Sequence, residues 1–155
     1  MDEFLAKTQL HKDESKNMIK LPEIGQTITP DYAERLCEHF KIYYLANRIQ
    51  ANMENLKPFV FDGCSGIDDE QMARWKVLNL PWDEILVCCL KHDLKYAFGI
   101  KSNWRERLIV DLEFQVDLLE AGVPKTVASV FFRAVRALGG QELNIKWVSW
   151  GFAWE

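Results

Sequence analysis

The sequence predicts an all-α protein, and three observations support that fold class. Four segments carry apolar residues at the spacing of an α-helix. Each segment is bounded by proline, glycine or a capping residue, and no internal repeat or low-complexity tract interrupts them. At 155 residues, with 48% hydrophobic and 27% charged residues, the chain has the length and composition of one globular domain with a buried core.

The first part of the chain predicts an arm followed by a long helix. Residues 1–28 are polar and lack sustained periodicity, so we expect an N-terminal arm that is loose or lies over the surface. Residues 29–155 are predicted to form a single helical domain. Thr29 and Pro30 form a helix start, and the apolar stripe that follows predicts one helix of about 25 residues, ending before Pro58.

The remaining elements follow from local signals. A short apolar anchor at 59–61 leads into a glycine-containing loop over 62–69. A second helix is predicted from Pro81 to Gly99, and a third from Asn103, which with Glu106 forms a capping-box pattern, to residue 121. A fourth apolar stripe covers 127–138 and is closed by two glycines.

Charge and hydropathy exclude several classes of protein. The formal net charge of −4 argues against a general nucleic-acid binder, which needs a basic face. No run of about 18 apolar residues is present, so no transmembrane segment is predicted. The N-terminus lacks the apolar core of a classical signal peptide, which leaves a cytoplasmic protein or one exported by a specialised route as the expectation.

The second and third predicted helices are joined by a turn of about four residues, which favours an antiparallel hairpin. His92 lies nine positions before residue 101 and Asp111 ten positions after it, so both lie about 14 Å from the bend. We therefore expect the imidazole to face Asp111, whose position in an apolar run requires a polar partner. Asp117 lies farther along the helix and is expected to meet the start of the second helix.

Three neighbours of this pair are assigned distinct roles. Tyr96, four residues after His92, is placed to hydrogen-bond to the Asp111 carboxylate. Asp93 projects about 100° away from His92, so it is available for another task. A glycine-bearing loop can turn backbone carbonyls inward while Asp62 adds charge, which is the ligand chemistry that calcium prefers. His92 would then be a base that takes a proton from water.

The pattern Cys-Cys-x-x-His-Asp-x-x-Tyr at 88–96, following Gly63-Cys64 and preceding Asp111, resembles the phospholipase A2 superfamily. The resemblance covers roughly residues 59–140. Its sparse cysteines make it more similar to the disulfide-poor microbial and viral members than to secreted animal ones.

The resemblance implies a phospholipase A2-like fold, with two antiparallel site helices, additional packing helices and a calcium-binding-type loop. It implies calcium-dependent hydrolysis of the sn-2 ester of glycerophospholipids at a membrane or micelle surface. His92, Asp111 and Tyr96 would be the catalytic residues, and Asp93, Asp62 and Gly63 would hold Ca²⁺. A Cys64–Cys89 disulfide is also implied, as an alternative to buried free thiols.

Other interpretations remain open at this point. A non-catalytic module of the same fold, binding lipid or a partner, would keep the helix hairpin. A zinc site is another possibility by residue type, with three cysteines and one histidine as ligands: Cys64, Cys88, Cys89 and His92. Against it, the side chains of adjacent cysteines on a helix point in different directions. The Trp-rich C-terminal segment, with Trp147, Trp150 and Trp154 at helical spacing, predicts core packing, an oligomer contact or membrane-surface binding.

Overall fold

A computed structural model describes residues 18–64, 69–75, 78–143 and 148–155. Within these residues the fold is mostly helical, as the sequence predicts. Six α-helices and one short antiparallel sheet follow one another in the chain: β1 (Thr27–Ile28), α1 (Pro30–His39), α2 (Tyr43–Ala51), β2 (Phe59–Val60), α3 (Asp69–Trp75), α4 (Trp82–Ala97), α5 (Trp104–Glu120) and α6 (Lys125–Leu138). None of the described helices has both the length and the apolar character needed to cross a membrane.

The prediction of one long first helix is wrong, because the chain turns between α1 and α2. Thr29 does cap α1, with its side chain accepting a hydrogen bond from the Tyr32 amide. The helix stops at Phe40, and Lys41 adopts a left-handed conformation with φ of 58°. A straight helix of that length would extend more than 30 Å. The turn instead folds α2 back against α1, so that both bury apolar residues in one core.

The segment before α1 contributes to this packing from residue 19 onward. Thr27 and Ile28 pair with Val60 and Phe59, and Ile28 is fully buried. Ile19 and Leu21 pack against the same core. Residues 1–17, the greater part of the predicted arm, lie outside the described residues.

Helix α4 lies at the centre of the molecule, between two groups of buried side chains. Leu90 and Leu94 contribute to a first core with β1, α1, α2, β2 and the C-terminal residues. Ile85 and Cys89 contribute to a second core with α3, α5 and α6. Because α4 is enclosed on both sides, its residues are held in fixed positions relative to the helices around it.

The three later helix predictions are confirmed. Helix α4 begins after Pro81, and the Asn103 side chain caps α5 by accepting a hydrogen bond from the Glu106 amide. Helix α6 ends at the predicted glycine pair. Helix α3 was not predicted, and its Trp75 ring stacks on Phe131 of α6 with centroids 5.3 Å apart.

The C-terminal tryptophans have helical spacing in the sequence, but residues 148–153 form turns. The core-packing role is nevertheless observed for two tryptophans. Trp150 is buried and its indole donates to the Ile100 carbonyl, while the Trp154 indole donates to the Gly99 carbonyl. Trp147 lies outside the described residues. The tail therefore closes the end of the α4–α5 hairpin.

Candidate active site

The α4–α5 hairpin brings His92 and Asp111 into contact, as the residue count from the bend predicts. His92 Nε2 lies 2.9 Å from Asp111 Oδ1, and both side chains are buried. A carboxylate only accepts hydrogen bonds, so the imidazole donates from Nε2, which leaves Nδ1 as the ring nitrogen with a lone pair. Asp117, the competing acid, pairs instead with Lys91 at 2.8 Å, within α4 rather than at its start.

Two further side chains donate hydrogen bonds to the Asp111 carboxylate. Tyr96 donates its hydroxyl to Asp111 Oδ1 at 2.7 Å, as the sequence predicts. Arg136, on the last turn of α6, donates to Asp111 Oδ2 at 2.7 Å. Arg107 in turn donates to the Tyr96 hydroxyl at 3.0 Å and to the carbonyls of Val135 and Arg136. Donors on α4 and α6 thus hold one fully buried carboxylate of α5.

This network fixes the charge state of the pair. Burial opposes ionisation of Asp111, but the hydrogen bonds from His92, Arg136 and Tyr96 outweigh it and hold the pKa of Asp111 below its usual value. Burial lowers the pKa of His92, and the attraction of Asp111 offsets only part of that effect. The imidazole lies between the rings of Tyr96 and Phe114, with centroids 4.3 and 4.4 Å away. Near neutral pH the pair is therefore a neutral histidine beside an ionised aspartate.

The histidine lies at the wall of a cleft. Asp93, Gly63 and the Cys64–Cys89 pair also line this cleft. The rest of the lining is mostly apolar and comes from α5, α6 and the C-terminal segment: Phe114, Phe131, Ala134, Val135, Leu138 and Val148. The cleft therefore combines one polar edge with a long apolar wall.

Glycine at the end of α6 allows Tyr96 to reach its position. A Cβ atom at Gly139 would lie 2.5 Å from the Tyr96 ring and from its hydroxyl, which is closer than real Cβ contacts. The glycine pair that closes the last apolar stripe is thus also a packing requirement of the site.

Asp93 lies on the neighbouring face of α4 and has different surroundings. Across the residues described, its carboxylate has neither a hydrogen bond nor an ion pair. Burial and the negative charge of Asp62 raise the pKa of Asp93 well above its usual value. Gly63, next to Asp62, has φ of 80° and lines the same cleft, so that the loop turns at this point. Asp93 lines the cleft, and both its burial and the nearby charge of Asp62 oppose its ionisation.

The oxygen atoms at this edge of the cleft supply only some of the ligands that a hard cation needs. Ca²⁺ takes six to eight oxygen ligands, and Asp93, Asp62 and the backbone at Gly63 are oxygen donors of the right type. No group of three His, Cys, Asp or Glu side chains close enough to hold a metal occurs in the described part of the chain. A calcium ion here would therefore depend on backbone oxygens and water for most of its ligands. Residues 65–68 of the predicted loop lie outside the described residues.

The cysteines argue against the zinc interpretation. Cys64 and Cys89 form a disulfide with Cα atoms 5.4 Å apart, so neither is available as a thiolate ligand. Cys88 is a buried free thiol whose pKa is raised by burial to about 11. The disulfide joins the loop after β2 to the middle of α4, one turn before His92.

Two site residues, Arg107 and Arg136, were not predicted from the sequence. Arg107 lies four residues before Asp111 on the same helix, and that spacing is a usable signal for an acid–base pair, although its closest approach to the carboxylate is 3.8 Å. Arg136 is separated from Asp111 by 25 residues. No local pattern indicates that contact, since it depends on how α6 packs against α5.

Comparison of the chain with protein-family models, with curated proteins and with solved structures finds no match.

Proposed function

We propose that this protein is a phospholipase A2-type hydrolase, which cleaves the sn-2 ester of glycerophospholipids with the help of calcium. The observation that supports this most strongly is a buried, neutral His92 that is anchored by Asp111 at the wall of an apolar cleft. The resemblance of residues 88–96 to the superfamily motif agrees with that arrangement. The class of protein is thus an esterase, and the particular activity is phospholipid hydrolysis.

The chain's own residues account for the proton transfers. His92 Nδ1 takes a proton from a water molecule, whose oxygen attacks the ester carbonyl carbon. Asp111 stabilises the imidazolium that results, as a buried carboxylate beside a histidine does in other hydrolases. When the ester C–O bond breaks, His92 returns the proton to the leaving alkoxide. The products are a free fatty acid and a lysophospholipid, and His92 is neutral again.

The supporting residues keep this base in one orientation. Tyr96 also donates to Oδ1 of Asp111 and Arg136 donates to its Oδ2, and these hydrogen bonds oppose rotation of the carboxylate away from the imidazole. Phe114 and Tyr96 pack against the imidazole ring. The apolar wall beyond them suits an acyl chain, because transfer of the chain from water to an apolar surface is favourable in free energy.

The calcium part of the proposal concerns Asp93, Asp62 and Gly63. A bound Ca²⁺ would supply positive charge that polarises the ester carbonyl and attracts the lipid phosphate. Asp93 would be the principal side-chain ligand, since it is close to Asp62 and lacks a hydrogen-bonding partner within the described residues. The disulfide at Cys64 restrains the loop that carries Asp62 and Gly63.

The alternative is a non-catalytic module of the same fold that binds a lipid or a partner. In such a protein the Asp93 carboxylate would be expected to pair with a lysine, as Asp117 pairs with Lys91. In the described chain Asp93 has no such partner, and this favours the hydrolase.

The experiment is an assay of fatty-acid release from mixed micelles of phospholipids labelled at the sn-1 or sn-2 chain. Label should be released from the sn-2 position in the presence of calcium, and chelator should stop the release. His92→Gln should lower turnover by about 100-fold or more, the usual contribution of a general base. The matched control is His39→Gln, because His39 is exposed at the end of α1.

Two results would contradict the proposal. One is the absence of release from every phospholipid tested, with calcium present and the protein folded. The other is an H92Q variant that keeps full activity after purification, since His92 would then have no catalytic role.

A further inference from the structure

Helix α5 has a second apolar face, which is distinct from the one that contributes to the core. Inward-facing Val110, Phe114 and Leu118 are buried. Four other apolar residues on the same helix are between 41% and 55% exposed: Ile109, Leu112, Val116 and Leu119. We name these four the outer stripe. Their spacing of three, four and three residues is that of the contact seam between two packed helices.

Three residues of the outer stripe, Ile109, Leu112 and Val116, line an open groove. Phe40 and Ile42, at the turn between α1 and α2, form its other apolar wall. A helix that is apolar on both sides is normally covered on both sides. The groove beside the stripe offers space for side chains of the helix that covers it.

Charges at the two ends of α5 indicate which partner fits. Arg105 is exposed near the start of the helix, and Glu120 is exposed at its last residue. Neither forms an ion pair with any residue that the structure describes. In an antiparallel pair of α5 helices centred beside Leu112, Arg105 of one copy faces Glu120 of the other, and Ile109 faces Val116. A parallel pair would instead place like charges together.

We infer that the outer stripe is the interface of a homodimer, in which α5 packs antiparallel against α5 of a second copy. The same surface on both subunits meets across a twofold axis, which is the usual geometry of a protein dimer. One helix per subunit buries a modest area, so the dimer should dissociate in the micromolar range.

A lipid surface is the less favoured occupant of this face. Glu113 and Asp117 line the groove as ion pairs with Lys95 and Lys91. Glu120 remains as an acid with no ion pair among the described residues, and it weakens attraction to anionic headgroups. At about 100° per residue, the stripe also lies about 80° to 160° around the helix from Asp111. It therefore points away from the cleft, and the dimer does not depend on the proposed activity.

The test is the oligomeric state of the whole chain, measured by sedimentation equilibrium across the micromolar range. Wild type should dimerise and Leu112→Glu should be monomeric. Leu78→Glu is the matched control, because Leu78 is 49% exposed but lies outside the stripe. Circular dichroism and thermal unfolding check that each variant is folded.

A charge exchange tests the antiparallel pairing itself. Arg105→Glu and Glu120→Arg should each weaken the dimer by about tenfold or more. The double variant R105E/E120R should recover most of that loss, because the pair is restored with its signs reversed. A double variant no tighter than either single one would overturn the antiparallel arrangement.

Three further outcomes would overturn the dimer. The first is a wild-type protein that stays monomeric at all concentrations, and the second is an L112E variant that dimerises like wild type. The third is a monomer that co-sediments with phosphatidylcholine vesicles and loses that binding in L112E, which would assign the stripe to lipid.

Discussion

His92 and Asp93 are neighbours on α4, but their surroundings differ in one respect that matters for function. The His92 side belongs to a closed network, in which Asp111 accepts hydrogen bonds from His92 and Tyr96 on α4 and from Arg136 on α6. The Asp93 side has a carboxylate near Asp62, with no donor for Asp93 in the described residues. Asp111 is held by the fold, whereas the Asp93 carboxylate is held by none of the residues that the structure describes.

The largest expected effect comes from Asp93→Asn, which removes the carboxylate on the Asp93 side of α4. Turnover should fall by about 100-fold or more, because the principal proposed calcium ligand is lost. In chelator, however, the variant should be more stable than wild type, since the free-energy cost of burying the Asp93 carboxylate near Asp62 is removed. Thermal unfolding with and without calcium measures both parts.

Calcium should raise the unfolding temperature of wild type but not that of D93N. Asp83→Asn is the matched control, because Asp83 is exposed on the same helix and should keep the calcium response. An unfolding temperature of wild type that does not change with calcium would remove the case for an ion at this edge.

The second test is Asp111→Asn, which removes the carboxylate at the centre of the His92 network. Replacing a buried, paired carboxylate leaves Arg136 without its counter-charge, and we expect a loss of about 3 kcal/mol at neutral pH. Because the folded pKa of Asp111 lies below its usual value of 3.8, its contribution is fully present above that pH. It is lost as the pH falls through the lower, folded pKa.

The difference in unfolding free energy between wild type and D111N should therefore be constant above about pH 5 and shrink below pH 4. Urea unfolding at a series of pH values measures it. A difference that is the same at pH 3 and pH 7 would show that Asp111 is not held ionised by its partners.

The smallest expected effect concerns Arg136, the partner that sequence reasoning missed. Arg136→Met should cost about 2 kcal/mol of stability, the contribution of a hydrogen bond to a charged group. Arg136→Lys should cost less, because the positive charge is kept. Arg133→Met, at an exposed position on the same helix, should be near neutral.

In an activity assay, R136M should lower kcat more than it raises KM, since Arg136 orients Asp111 and does not itself line the cleft. An R136K variant that is as impaired as R136M would argue that packing rather than charge matters there. Equal stability of R136M and wild type would remove Arg136 from the network.

Much of the helical hairpin was predictable because its signals are local. Pro81 and Asn103 fix the starts of α4 and α5, and a short turn leaves few ways to arrange two helices. Counting residues from the bend then placed His92 opposite Asp111. The spacing of four residues likewise predicted the contact of Tyr96 with that carboxylate.

The errors arose where packing overrides local preference. The apolar stripe after Pro30 is continuous in sequence, so it predicts one helix. Only the gain from burying α1 and α2 in a common core explains the turn at Lys41. The spacing of the C-terminal tryptophans is also helical, yet hydrogen bonds from Trp150 and Trp154 to the hairpin end hold turns instead.

The sequence by itself thus determined the helix boundaries around the site and the meeting of His92 with Asp111, because hydrogen-bond geometry and helical rise act within about 20 residues. The tertiary structure decided the rest. Arg136 reaches Asp111 only because α6 packs across α5, and Asp93 faces Asp62 only because the loop after β2 is joined to α4. Contacts between distant segments depend on how whole faces pack, and no local pattern encodes that.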